Sequence, residues 1–151
     1  MLLLDPSAPE AVAVEPKPPQ TADRLAAALA AQFGSLEGRY RRENVRLEDF
    51  PLEPSDVVVS VHACGALTDR VLARAVAVGA RVAVLPCCHV HARLDAGGLS
   101  GWMEPDLAID ATRAGILKAQ GYGVHTATIP SDITPKNRLL FGWPSPEPTA
   151  E

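Results

Sequence analysis

The stretch over 56–85 restricts the fold of this chain more than any other part of the sequence. It begins with an apolar run over 56–61, which is typical of a strand covered on both faces. A helix over 69–78 follows, which Thr68 can cap, and 81–85 is a second buried strand. A strand, a crossover helix and a strand within about thirty residues form a right-handed βαβ unit. We therefore expect the two strands to be parallel.

Shorter predicted elements flank this unit on both sides. They are strands over 12–15, 39–50, 122–129 and 138–143, a helix between Thr21 and Gly34, and a helix over 105–120. Because only a short connection without a helix joins the last two strands, we expect them to form an antiparallel pair. The sequence therefore predicts an α/β fold with a mostly parallel sheet and a C-terminal antiparallel hairpin.

The length and charge of the chain narrow its class. At 151 residues it fits one domain, which we place over 1–143, followed by a disordered tail over 144–151. The formal net charge of −4 supplies no global positive field for nucleic acid. No run approaches the roughly 18 apolar residues that span a bilayer, so we expect no membrane partner. The three cysteines, an odd number, favour a reduced, cytoplasmic setting.

Chemically active side chains gather where the predicted strands end. In strand order these ends are Glu15, Glu48–Asp49, His62–Gly65 and Pro86–His89. All three cysteines and, with His91 included, three of the four histidines lie at the last two ends. Because open parallel sheets bind ligands beyond the carboxyl ends of their strands, we expect a site at this edge.

Three interpretations of the cysteine and histidine cluster stay open. The cysteines can be small buried residues that close tight turns, with the histidines hydrogen-bonded nearby. They can instead form the wall of a substrate pocket in which His62 or His89 accepts a proton. A zinc site is the third interpretation, but adjacent Cys87 and Cys88 in extended backbone point to opposite faces, and no C-x-x-C pair is present. We therefore expect no metal.

Two acids at strand ends are candidate cofactor ligands. Glu15 can accept both ribose hydroxyls of a nucleoside cofactor, and the alternative is a simply solvated carboxylate. Asp49 can lie near the adenine amino group of the same cofactor.

A loop near the C-terminus is a candidate substrate contact. If the strand over 138–143 pairs beside the strand over 81–85, then Lys136, Asn137 and Arg138 come close to the cysteines. These residues then contact a substrate, or they serve ordinary turn chemistry on a solvated rim.

The order of these elements resembles the class I S-adenosylmethionine-dependent methyltransferases from their second strand onward. The segments H-x-C-G-x-x-T-D at 62–69 and C-C-H at 87–89 are similar to those of a subgroup that includes a tRNA 2′-O-methyltransferase family. The resemblance covers about 2–143 and implies a Rossmann-like methyltransferase sheet that lacks its first strand. It also implies S-adenosyl-L-methionine as the cofactor, with contacts from Glu15, Asp49, His62, Cys64 and Gly65, and a substrate surface that includes Cys87 and Cys88.

The activity that this resemblance implies is in-line displacement of the sulfonium methyl group by a substrate oxygen or nitrogen. RNA is a candidate acceptor, and His62 or His89 would remove the proton. The glycine-rich turn that normally grips the cofactor is not found before residue 12, so we expect an active enzyme only if that segment is supplied. We also expect weak cofactor binding by this chain alone, which micromolar binding in calorimetry would contradict. The alternatives are a non-catalytic methyltransferase-like binding module and a metal- or redox-sensing protein that uses the cysteines and histidines.

Overall fold

The computed structural model describes residues 2, 5 and 7–145. The elements in chain order are β1 (Ala11–Val14), α1 (Ala22–Gln32), β2 (Tyr40–Glu43), β3 (Val57–Val61), α2 (Ala66–Val78), β4 (Arg81–Leu85), α3 (Pro105–Ala119), β5 (Tyr122–Thr128) and β6 (Arg138–Pro144). The chain divides into two compact units, Met1–Pro51 and Leu52–Glu151.

The first unit is a parallel strand pair with one helix between the strands. β1 and β2 pair from Ala11 opposite Tyr40 to Val14 opposite Glu43, and the Glu15 amide donates to the Glu43 carbonyl at 3.1 Å. The strand predicted over 39–50 is therefore too long. The amides of β1 that face β2 belong to odd-numbered residues up to Glu15, and the pairing ends there because the chain bends at residues 16 and 17, where Pro16 restricts φ.

The second unit contains a four-stranded mixed sheet in the order β3-β4-β6-β5. β3 and β4 are parallel over their full length, which confirms the predicted βαβ unit. β6 pairs antiparallel with β5, which confirms the predicted hairpin, and also with β4, which meets the condition set for the loop before β6. The fold class is α/β, as predicted.

The pairing pattern differs from one mostly parallel sheet. The described strands form two sheets with two parallel and two antiparallel pairings. In the part of the chain that is described, β1 pairs only with β2 and β3 pairs only with β4. Parallel pairing is therefore confined to these two strand pairs.

The start of α2 corrects the predicted helix cap. The helix begins at Ala66 rather than at residue 69, and Gly65 is its N-cap with φ 60°. Thr68 lies in the first turn, 1 % exposed, and its hydroxyl donates to the Ala63 carbonyl at 2.5 Å. The left-handed φ of Gly65, which glycine adopts readily, brings the chain into the helix three residues earlier than a threonine cap would.

The helix α3 begins at a well-formed cap and covers the sheet. Pro105 occupies the first turn, and the Glu104 carboxylate accepts hydrogen bonds from the Asp106 and Leu107 amides, both at 3.1 Å. Two of the most deeply buried side chains of the second unit, Ile109 and Leu117, lie on this helix. α3 therefore supplies much of the apolar contact beneath the sheet.

A glycine in β6 allows this close packing. A Cβ atom at Gly142 would lie 3.1 Å from Leu117 Cδ1 and 3.2 Å from both Tyr122 Cδ1 and Val82 Cγ1. Such distances are tighter than ordinary van der Waals contact. The space that a side chain would occupy at Gly142 is thus already used by its neighbours.

The ends of the chain and its helices bear on two further expectations. Of the tail predicted over 144–151, Pro144 ends β6, and residues 146–151 lie outside the described residues. Across residues 2, 5 and 7–145, we find no helix with the length and apolar character required to cross a bilayer.

Candidate functional site after strands β3 and β4

The three cysteines meet beyond the carboxyl ends of β3 and β4. Cys64 Sγ lies 3.2 Å from Cys87 Sγ, and Cys87 Sγ lies 3.5 Å from Cys88 Sγ. All three sulfur atoms lie within 4.8 Å of one another. Cys87 is buried, whereas Cys64 and Cys88 are exposed. The parallel pairing of the two strands therefore creates a compact group of thiols that is open to solvent on one side.

The orientation of Cys87 and Cys88 overturns the argument against a metal site. The two side chains were expected to point to opposite faces of an extended strand, yet their sulfur atoms lie 3.5 Å apart. β4 ends at Leu85, and the residues that follow have no regular secondary structure. The alternation of side chains along a strand therefore does not apply to this pair.

Two backbone hydrogen bonds join the turns that carry the cysteines. The His62 amide donates to the Leu85 carbonyl at 3.1 Å, and the Gly65 amide donates to the Cys88 carbonyl at 2.9 Å. His62 has φ 59°, and among the described residues it is the one non-glycine residue with a positive φ. Backbone in this region is sparsely populated and costs energy, and such residues cluster at functional sites. His62 itself is exposed to solvent.

The three thiols are not equivalent as acids. Burial, followed by the hydrogen bonds and charges of the neighbouring Cys64 and Cys88, raises the pKa of Cys87 to about 12. The pKa of Cys88 is lowered from its ordinary value, chiefly by hydrogen bonds with Cys64 and Cys87 and also by the positive charge of Lys136. Because the thiolate is the reactive form, Cys88 is a better nucleophile than Cys87.

This difference predicts selective alkylation. With metal-free protein and one limiting dose of iodoacetamide at pH 7, we expect Cys88 to react at least about a hundredfold faster than Cys87. A Cys64→Ala variant loses the leading hydrogen bond, so its Cys88 pKa should rise and the pH profile of alkylation should move to higher pH. Lys136→Ala should move it in the same direction and Lys118→Ala should not. Peptide mass spectrometry gives each rate, and equal rates for Cys87 and Cys88 would contradict the assignment.

His89 is held inside the unit by two carboxylates. Its side chain is 1 % exposed, with Nε2 2.8 Å from Asp110 Oδ1 and Nδ1 3.3 Å from Asp106 Oδ2. The latter contact is not a hydrogen bond, and Nδ1 has no hydrogen-bond partner among the described residues. When Asp110 is ionised and the ring is neutral, Nε2–H donates and Nδ1 is left with its lone pair. The ring orientation is thus determined by Asp110.

A buried arginine connects this histidine to α2. Arg113, with its side chain 3 % exposed, donates to Asp69 at 2.7 and 3.0 Å and to Asp110 at 3.1 Å. A further bond of 3.3 Å runs to the Gly65 carbonyl at the N-cap of α2. Desolvation lowers the pKa of Arg113, but the hydrogen bonds and charges of Asp69 and Asp110 outweigh it and raise the pKa overall. Arg113 therefore remains charged while it supports the turn after β3.

The position of Arg113 on its helix is a sequence signal for this network. Ile109 and Leu117 are buried on α3, and Arg113 lies midway between them at helical spacing. A charged residue on the buried face of a helix requires an ion pair, because burial of an unpaired charge is costly. That rule predicts a buried partner for Arg113, although it does not identify Asp69 and Asp110.

Two basic residues, one in the loop before β6 and one at its first position, contact the carboxylates beside His89. Lys136 Nζ lies 3.4 Å from Asp106 Oδ2, and Arg138 Nε lies 2.7 Å from Asp110 Oδ2. Asn137 instead donates to the Ile129 carbonyl at 2.7 Å across the hairpin. Lys136 and Arg138 thus contact the carboxylates that hold His89, whereas Asn137 closes the turn.

The remaining site residues, Glu15 and Asp49, belong to the first unit. Glu15 is exposed directly after β1 and lines a groove of about 680 Å³ with Leu25 and Arg42. Asp49 was expected at a strand end. It lies instead in the one-turn 3-10 helix Leu47–Asp49. The acid at the end of β2 is Glu43.

Comparison with known proteins gives one match. No curated protein and no solved structure matches this chain. A family model described as a methyltransferase domain matches residues 10–94, which is more than half of the 151 residues. The matched part contains the two candidate cofactor ligands Glu15 and Asp49, the turn after β3 and all three cysteines. On this match, the chain belongs to that methyltransferase domain family.

Proposed function

We propose that this chain serves methyl transfer from S-adenosyl-L-methionine, with RNA as the candidate acceptor. The family match over 10–94 carries the proposal, because it includes the strand-end residues to which the resemblance assigns cofactor and substrate contacts. The βαβ unit and the antiparallel hairpin support a Rossmann-like methyltransferase fold. The relation to the tRNA 2′-O-methyltransferase subgroup and a cytoplasmic location are also parts of the proposal.

The proposed cofactor contacts are the residues that the resemblance assigns. Glu15 would accept the ribose hydroxyls, because its carboxylate is exposed beside a groove whose volume is within the usual range for small-molecule sites. Asp49 would lie near the adenine. The turn His62, Cys64 and Gly65 would contact the reactive part of the cofactor, and the left-handed His62 is a strained residue of the kind found at such sites.

The proposed substrate contacts lie in the second unit. Cys87 and Cys88 would form the wall, and Lys136, Asn137 and Arg138 would line the rim. The two positive side chains suit the phosphates of an RNA acceptor despite the net negative charge of the chain. The positive charge of Lys136 lowers the pKa of Cys88, which supports a cationic side chain beside the thiol cluster.

The proton of the acceptor requires a base. His62 is exposed and has no carboxylate assigned to it among the described contacts, whereas the His89 ring is enclosed and held by Asp110. His62 is therefore the better placed to take the proton directly, and His89 would act through the carboxylates that orient Lys136 and Arg138. The catalytic contribution of the chain is then mainly positioning in line with the methyl group.

The role of Glu15 is tested by cofactor binding. Because hydrogen bonds to a charged group contribute about 1.5–3 kcal/mol, we expect Glu15→Gln to weaken S-adenosylmethionine binding about 10- to 100-fold. Glu10→Gln is the matched control, since Glu10 lies before the same strand and makes an exposed ion pair with Arg41. Equilibrium dialysis with methyl-tritiated cofactor measures both, and label in total RNA reports the acceptor. Absence of saturable binding up to about 1 mM, or equal binding by Glu15→Gln, would contradict the proposal.

A further inference from the structure

The group formed by Cys64, Cys87 and Cys88 has a chemistry that methyl transfer does not use. Three sulfur atoms that all lie within 4.8 Å of one another can coordinate one ion together. A cysteine that only fills a turn does not require two other thiols beside it. Thiolate sulfur is a soft ligand, and it selects metals such as zinc rather than magnesium or calcium.

The distances fit a zinc ion closely. Zn–S bonds of about 2.3 Å in tetrahedral geometry place the sulfur atoms about 3.8 Å apart. Cys64 Sγ and Cys87 Sγ lie 3.2 Å apart, and Cys87 Sγ and Cys88 Sγ lie 3.5 Å apart. The first pair would have to separate by about 0.6 Å and the second by about 0.3 Å. Side-chain rotation alone supplies such a shift.

The number of ligands indicates the kind of site. No histidine or carboxylate joins the three sulfur atoms within 4.8 Å among the residues that the structure describes. Structural zinc sites have four protein ligands, whereas sites with three protein ligands keep a fourth position for water or an exogenous ligand. Because Cys64 and Cys88 are exposed and Cys87 is buried, the fourth position would face solvent.

We propose that Cys64, Cys87 and Cys88 bind one Zn²⁺ ion through three thiolates, with a solvent-facing fourth position occupied by water. On binding, three S–H groups release their protons to solvent and three Zn–S bonds form, so the ion with its three thiolates carries one net negative charge. Lys136, whose positive charge acts on Cys88, offsets that charge. The backbone bonds from His62 to Leu85 and from Gly65 to Cys88 hold the two ligand-bearing turns together before the ion arrives.

Metal binding is measured on the whole, untagged chain in a phosphine reductant and without cofactor, so the outcome is independent of the proposed methyl transfer. We expect one equivalent of Zn²⁺ by elemental analysis after dialysis. Co²⁺ in its place should give an intense thiolate-to-metal charge-transfer band in the near ultraviolet. Absence of saturable Zn²⁺ binding, or stoichiometric Cu(I) uptake by protein that takes no Zn²⁺, would overturn the proposal.

Single substitutions identify the ligands. Loss of an outer-shell partner typically weakens metal binding about 10- to 100-fold, so loss of a ligand should weaken it by about 100-fold or more. Cys64→Ser and Cys88→Ser are the main variants because both residues are exposed, and Cys87→Ser is interpreted only if its circular dichroism matches the parent. His125→Ala is the control, since His125 is an exposed imidazole on β5 that contacts Phe141. Unchanged affinity in both exposed-cysteine variants would overturn the assignment.

Discussion

Replacement of Arg113 by alanine is expected to lower the free energy of unfolding of the second unit by about 3–5 kcal/mol. The guanidinium is buried and donates to Asp69, Asp110 and the Gly65 carbonyl. Truncation would remove the hydrogen bonds to Asp69 and to the Gly65 carbonyl and would leave the buried space of the side chain empty, whereas Asp110 would keep Arg138 and His89. Urea denaturation followed by circular dichroism measures the effect.

Two further variants separate this effect from the loss of a surface charge. Lys136→Ala removes a half-exposed ion pair with Asp106 on the same helix α3, so its cost should stay below about 1 kcal/mol. Arg113→Lys keeps the charge but cannot form the two-pronged contact with Asp69, so its cost should lie between the other two. An Arg113→Ala variant as stable as Lys136→Ala would show that the buried network does not stabilise the unit.

Replacement of Leu117 by alanine should cost about 2–5 kcal/mol, because Leu117 is 1 % exposed and the change leaves a cavity. Gly142→Ala should cost about 1–3 kcal/mol, since the new methyl group would press on Leu117, Tyr122 and Val82. The two costs should not add. In the double variant the methyl group enters the space that Leu117 leaves, so its cost should fall below the sum of the single costs by about 1 kcal/mol.

A double-mutant cycle in urea measures this coupling. Leu140→Ala is the control partner for Gly142→Ala: Leu140 is also buried in β6, but its side chain is not among the three nearest contacts of a Cβ atom at Gly142. Additive costs for Leu117 and Gly142 would contradict the packing described between α3 and β6.

The order and direction of the strands in the second unit could be predicted from local patterns. The apolar runs and the helix between them determine a parallel pair, and the short final connection determines an antiparallel one. The division into two sheets agrees with the resemblance, which implied a sheet without its first strand, whereas local patterns alone do not reveal which strand edges pair. The predicted β2 was too long because its end depends on the bend at residues 16 and 17, which follows the partner strand.

Only the approximate location of the candidate site could be predicted, and not the contacts within it. Adjacency of β3 and β4 was enough to bring Cys64 to Cys87, but the relative direction of Cys87 and Cys88 depends on irregular backbone that no periodicity describes. Asp49 was placed by assuming that its strand continued, and Asp110 was missed because its role comes from tertiary contacts with His89 and Arg113. Long-range ion pairs of this kind leave no local pattern.

The hydrogen bonds from His62 to Leu85 and from Gly65 to Cys88 use main-chain atoms alone. These two bonds consequently do not depend on the thiol groups of Cys64, Cys87 and Cys88. Natural variation or protein engineering can exchange one thiol for another group while both backbone hydrogen bonds remain available. Relatives with other side chains at positions 64, 87 and 88 would then share this backbone. Protein engineering can change these positions one at a time.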